Sequence, residues 1–453
     1  MNIFLKAFLV CVCGAVVVRA KTMSYLDNDQ IRLGVDLDVG GAVTYLAESG
    51  TTNNMINSWD WGRQVQLSFY SGPVPFKPEG ATLAKCWEGL GWNPIQAGDT
   101  YHNGSKVIEH QNDGKTIRLR CIPMIWPLKN VPAECTFECT YHLVGKTVEV
   151  ATRMVIARSD QTQYQGRNQE LPAVYANGPW YKLVSYLGDR PFAQEPTTTV
   201  VDLNDGKGWP WVSFYGPEHW AALVDKHDHG VGIFHAEAMH FSGGFAGKPK
   251  GSGGPKNDQT SYIAPTIEEI LDHNITYEYQ YVLVVGNVPE IRHYAYAHTP
   301  PLKPPIWRFV NDRQHWTFVH TTDTGWPIKG ELCVKLNKPA QMRSPLTFWR
   351  AEEAGKLQME AAFETAAKAI TVQIEPFDDS ERRDWPCWGA DAKRPPKSML
   401  GTASVPIIGD GVCRIYTLDL TQIPNYRGAM IRLHVLLPKG SGTARVKSIG
   451  LLP

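Results

Sequence analysis

The chain has 453 residues, with 45 Lys and Arg against 45 Asp and Glu and so no formal net charge. No basic block of the kind that coats a phosphate-binding face is present, which excludes nucleic acid as the expected partner. The length exceeds one ordinary core and predicts two domains; 15 Trp, 18 Tyr and 15 Phe suit both sandwich cores and sugar-stacking surfaces.

Residues 1–20 carry Lys6, an apolar run from Ala7 to Val18, and Val18 and Ala20 flanking Arg19 at a cleavage-site spacing. This pattern predicts a signal peptide, the run being far short of the ~20 residues that span a bilayer. No later segment is long and apolar enough to cross a membrane, so secretion is expected and a membrane partner is not. Of nine cysteines, Cys11 and Cys13 fall in the leader, leaving Cys86, Cys121, Cys135, Cys139, Cys333, Cys387 and Cys413. In an oxidising compartment the first four can form two bridges and the last three one. Cys135 and Cys139 lie ~13 Å apart along a strand and cannot bridge each other. Cys121 and Cys135 are expected to face each other across a hairpin turning near 128–131. Asn103 and Asn274 open glycosylation sequons.

From Ile31 onward, apolar residues alternate with polar ones between Gly, Asn and Asp breaks, which predicts antiparallel sheet. IRLGVDLDVGGAVTYLAES, QVQLSFY, TIRLRCIPMIW, AECTFECTYHLVG and KTVEVATRMVIA are read as the first strands. VSFYG, WAALVD, GVGIFHAEAMHF and ITYEYQYVLVVG follow, closing a large all-β domain over 21–297. Four prolines in 298–305 read as a linker. WTFVH, GELCVKL, AITVQIEPF, CRIYTLDL, AMIRLHVLL and ARVKSIGL then predict a second β-sandwich over 306–453, with a short helix expected within 350–369 from its Ala and Glu content.

Three stretches could carry chemistry. RNQELPAVYANGPWYKLVSYLGDRPF, 167–192, puts Glu170 beside Gln169 and Tyr175 in what reads as a loop, where burial would raise a carboxyl pKa. A Glu holding the loop by pairing with Arg63 or Arg167 is the structural alternative. SWDWGRQ combines Trp59, Asp60, Trp61 and Arg63, and a guanidinium there offers forked donors to a carboxylate or paired hydroxyls, which suits a uronic acid. An internal Asp60–Arg63 pair explains it equally well. WAALVDKHDHGVGIFHAEAMHF holds His227, His229, His235 and His240 with Glu237, so that His235 or His240 is a candidate proton-transfer residue. His227 and His229 have a spacing metals accept, although the polar turn explains them without one, and no metal or cofactor is called for. Gln169, Trp59 and Trp180 join Arg63 and Asp60 as candidate substrate-binding residues. Two further turns, Trp92–Asp99 and Asp202–Gly206, are explained by their Gly, Pro and Asp content.

GGAVTYL, the turn at 50–54 and NSWDWGRQVQLSFY stand in an order that resembles the opening of the galactose-mutarotase-like supersandwich. The resemblance covers about Ile31 to Gly286 and implies a sugar-directed cleft with a basic residue in it. Where that superfamily carries an acid/base His in a short loop, this chain has Gln169–Tyr175 and no His. The departure argues against an ordinary aldose epimerase and leaves Glu170 as a substitute acid or a sugar-hydroxyl ligand. The second domain, ending in YRGAMIRLHVLLPKGSGTARVKSIGL, resembles a carbohydrate-binding jelly roll, with Trp307, Trp316, Trp326, Trp349, Trp385 and Trp388 either a stacking platform or core. Together these readings imply a secreted polysaccharide-degrading hydrolase or lyase, with Glu170 as acid/base, Arg63 orienting substrate and His235 or His240 as second proton-transfer group; Tyr175 and Tyr181 are candidate lyase-type bases, with aromatic packing as their alternative role. The alternative is a non-catalytic glycan-binding protein. A poly- or oligosaccharide is the expected partner either way, and the oligomeric state is left open.

Overall fold

A computed structural model describes residues 22–200, 211–336, 339–378, the backbone of 383–384, 399–438 and 440–453. The leader, Asp202–Gly206, Trp385, Cys387 and Trp388 lie outside them. The chain is all-β as expected, and among the described residues its strands form antiparallel sheets of eleven, nine, five and six strands.

The two larger sheets face each other across one apolar core. It is built from the inward half of each alternating strand, for example Val65, Leu67 and Phe69 from one sheet and Met154, Tyr279 and Leu283 from the other. The eleven-stranded sheet sets the site. Across its middle run, as hydrogen-bonded neighbours, Val65–Ser68, Arg167–Asn177, Thr260–Glu269, His240–Ala246 and Trp211–Tyr215. The smaller sheets enclose a second core containing Trp307, Trp316 and Trp349, so these three indoles are packing and not a stacking surface. Trp326 packs partly buried against the first core.

Several expectations are corrected. Glu170 sits in a strand, Arg167–Asn177, and not in a loop. The strand is buried on both faces, which erases alternation, and the ladder shifts register between Glu170 and Val174 around Pro172. Within 350–369 the helical structure is one 3-10 turn, Ala351–Glu353, and Lys356–Glu364 is strand, because Leu357, Met359, Ala361 and Phe363 alternate into the second core and override the helical preference of Ala and Glu. Conversely, Val288–His298 is a helix, lying on the outer face of the nine-stranded sheet through Val288, Ile291 and Ala295. The described cysteines are thiols: Cys121 pairs across the ladder with Phe137, so Cys135 is offset by two residues on the same core face and makes no bridge with it.

Candidate functional site

In an antiparallel ladder, directly opposed residues project to one face. Ser68 opposes Glu170, Glu170 opposes Thr266, Thr266 opposes His240 and His240 opposes Tyr215. Five strands therefore line up one crosswise row on the sheet face turned away from the first core. A second row on that face runs Tyr175, Tyr262, Gly244 and Trp211. Its rings touch: Tyr175 and Tyr262 centroids are 4.7 Å apart and Trp211 and Tyr262 5.0 Å.

Glu170 is 7% exposed. Its Oε2 accepts from the Tyr70 hydroxyl at 2.7 Å and its Oε1 from the Tyr262 hydroxyl, while Ser68 donates to Tyr70 at 3.0 Å. Burial pushes the carboxyl pKa above its ordinary range, against the opposing pull of hydrogen bonds from Tyr262, Ser68 and Tyr70. Both tyrosines are driven well above 10, first by burial and then by the Glu170 charge. In the same row a hydrogen bond links His240 Nδ1 to Thr266 Oγ1, and the His240 ring lies 5.9 Å from that of Tyr215.

Two aromatic groups flank this carboxyl. On one side Tyr70 packs with Ile95 and Trp126, against which Trp61 and Trp87 lie half-buried. On the other are Tyr175, Tyr262 and Trp211. The SWDWGRQ turn borders the face: Gly62 abuts the Trp126 ring, Arg63 Nε pairs with Asp60 at 3.2 Å, and Arg63 donates to the Asp258 carbonyl at 2.7 Å. The Tyr175 hydroxyl is raised by burial and then by Glu170 and Asp60, and lowered by Arg63, so these groups share one electrostatic neighbourhood.

Glu170, Tyr175, His240, Asp60 and Arg63 thus meet on or beside one face. The remaining candidates do not. Gln169 points to the opposite side, where it clamps the Tyr70 backbone by accepting from its N–H at 2.7 Å and donating to its carbonyl at 3.0 Å. Trp59 is 51% exposed beyond the turn, and Trp180 packs against the first core beside Gly230. His235 and Glu237 lie in the turn after His229–Phe234, not on a strand. His235 is buried and stacks on Tyr279 with centroids 5.8 Å apart. His229 sits apart, 3.5 Å from Glu48, and among the described residues no three His, Cys, Asp or Glu side chains gather as metal ligands do.

Tyr70, Tyr262 and Thr266 were not singled out from the sequence. The signal was present: in VQLSFY the polar residues Gln66, Ser68 and Tyr70 alternate with Val65, Leu67 and Phe69. TSYIAPTIEE likewise alternates Tyr262, Ala264, Thr266 and Glu268 with apolar neighbours.

No family model matches the chain, and no curated protein matches it. Solved structures similar to it include a galactose mutarotase related enzyme from Lactobacillus acidophilus, 12% identical over 58% of this chain and 97% of that one, with a TM-score of 0.37. A galactose mutarotase-like protein from Lactobacillus casei is 11% identical over 58% of this chain and all of that one, TM-score 0.39. A putative aldose 1-epimerase from Escherichia coli is 12% identical over 59% of this chain and all of that one, TM-score 0.34. At TM-scores this low, the chemistry of the site rests on its own residues.

Proposed function

We propose that the protein is a secreted carbohydrate-active enzyme that hydrolyses a glycosidic bond, with Glu170 as the proton donor. The observation that carries this reading is a carboxyl of raised pKa between two groups of aromatic rings on one sheet face. A carboxyl whose pKa is pushed upward by burial is the kind of group that protonates a leaving oxygen, and the rings suit the C–H faces of sugars. His240 stands two strands away in the same row with Thr266 between them, about 10 Å at ordinary strand spacing, close to the separation at which an acid and a base act from opposite sides of a glycosidic bond. Elimination is less favoured because Tyr70, Tyr175 and Tyr262 are all pushed well above 10 and so stay protonated, with no phenolate to take up a proton. The apolar leader and the two sequons support secretion.

A second reading, a non-catalytic glycan-binding protein, is favoured by one observation. Both Glu170 oxygens already accept from tyrosine hydroxyls, as in a carboxylate that serves only to tie strands together. Incubation with a panel of polysaccharides, followed by assay of new reducing ends, separates the two. On the hydrolytic reading Glu170→Gln loses at least about a hundredfold in turnover, the usual scale of acid catalysis, while still binding the glycan. Retention of full turnover by Glu170→Gln removes this residue from the chemistry. Binding by the wild type with no new reducing end selects the second reading, and absorbance from an unsaturated uronate redirects the reaction to a lyase.

A further inference from the structure

Trp59 is the most exposed tryptophan among the described residues, whereas Trp61, two positions later, packs edge-on against His102 with ring centroids 5.4 Å apart. One exposed indole is ordinary on a protein surface. Its mounting is not, because the turn that carries it is fixed on both sides of the ring. Asn57, itself fully buried, donates through Nδ2 to the carbonyls of Asn257 at 3.0 Å and Gln259 at 3.2 Å, and its Oδ1 accepts from the Trp59 N–H at 3.0 Å. The Ser58 N–H donates to the Pro255 carbonyl at 2.8 Å, and Lys256 donates to the Ser58 carbonyl. Past the indole, the Gly62 N–H donates to Asp60 Oδ1 at 2.8 Å and Gln64 Nε2 to the Asp60 carbonyl at 2.6 Å. A loose turn would let the ring fold back onto apolar surface; this one holds it out in water.

The mount is also tied to the Glu170 face. Both ends of the turn bond to one residue: the Asn57 N–H donates to the Tyr175 carbonyl at 3.0 Å, and the Tyr175 N–H donates to the Gln64 carbonyl at 3.1 Å. The Tyr175 ring touches that of Tyr262, whose hydroxyl meets Glu170. Two residues of chain, at most about 7 Å, separate Asn57 from Trp59, so the indole stands just past the edge of the face. A flat ring held rigidly in solvent takes the apolar C–H face of a pyranose by area burial and ring contact, and calls on neither a cavity nor an unpaired charge.

We propose that Trp59 is an outer stacking platform for one pyranose unit of a glycan chain whose neighbouring units lie over the Glu170 face. The inference rests on the reading of that face as a glycan site. It is tested on the full chain by titrating cello-, xylo- and manno-oligosaccharides, from disaccharide to hexasaccharide, into wild type, Trp59→Phe and Trp59→Ala. Affinity is read by calorimetry, and exposure of the indole by acrylamide quenching of tryptophan emission. Both substitutions change a surface side chain and leave the backbone bonds of the turn in place.

The hexasaccharide is expected to bind Trp59→Ala about tenfold more weakly than wild type, the scale of one aromatic contact, and Trp59→Phe in between, while the disaccharide, seated over Glu170, binds all three alike. The hexasaccharide is also expected to shield from acrylamide the part of the wild-type emission that Trp59→Phe lacks. Wild-type affinity for every length in Trp59→Ala overturns the platform and leaves the Glu170 reading standing. A loss equal at every length overturns it too, because it marks a defect in the face itself. Self-association of the wild type that disappears in Trp59→Ala overturns it by assigning the indole to a second copy. Failure of the wild type to bind any member overturns the platform together with the reading beneath it.

Discussion

His235 shows what its surroundings do to a titratable group that is enclosed without a charge partner of its own. Burial, reinforced by His315 and His219, lowers its pKa to about 4, with Glu237 pulling the other way. In the unfolded chain the ring titrates at ~6.5. The unfolded state therefore binds the proton first as pH falls, and the stability gained by keeping the ring neutral is complete above ~6.5 and is lost as pH drops toward about 4. We expect His235→Phe to flatten the acid limb of a melting-temperature profile across that window, by up to roughly 3 kcal/mol. An unchanged limb means that other groups govern acid stability. The sequence made His235 and His240 equal candidates because both are histidines in one polar stretch. What separates them is that His240 begins a strand and joins the row, whereas His235 turns inward onto Tyr279, a difference set by strand boundaries that polarity alone does not mark.

Among the elements, the helix Val288–His298 was the most readable of those not foreseen. Asn287 accepts from the Glu290 N–H, Glu290 accepts from the Asn287 N–H, and Pro289 stands in the first turn, an N-x-x-E start whose spacing is written in the chain. Asn287→Ala should cost about 1 kcal/mol, read as a shift in urea midpoint with unchanged slope; no shift makes packing against the sheet the whole source of the helix. Strands faced the reverse difficulty. One-sided strands such as Thr116–Ile122 declare themselves by alternation, and the all-β class was legible from them. Arg167–Asn177, covered on both faces and broken by Pro172, lacks the period that would mark it, although the residue at its centre was still picked out. The helical composition of 356–364 misled because Ala361 and Ala362 fill narrow positions in a sheet core, where small volume decides and propensity does not.

At the scale of the whole molecule, the two pairs of sheets are joined by a buried charge node. Arg313, 2% exposed, pairs with Asp272 at 2.6 Å and Asp323 at 2.7 Å, while Gln163 donates to both carboxylates. Such a cluster adds little over apolar packing while whole, but removing one member leaves a charge stranded without solvent. Arg313→Ala should therefore cost about 3–5 kcal/mol, and calorimetry should show one transition in the wild type and two in the variant. One sharp transition in the variant would show that the apolar contacts alone couple the halves. None of this was legible in sequence, where Asp272 and Arg313 fall on opposite sides of a proline-rich stretch read as a linker.

The node also sets an order of events during synthesis. Asp272 leaves the ribosome 41 residues ahead of Arg313, a delay of a few seconds at roughly 5–20 residues per second. Until the cation emerges, the first sheets hold that acid beside Gln163 but without its ion-pair partner, so closure at this corner is completed by a residue not yet made. A nascent chain stalled just short of Arg313 should be held open at that corner, and release of the stall, not collapse of the first core, would be the step that seals it.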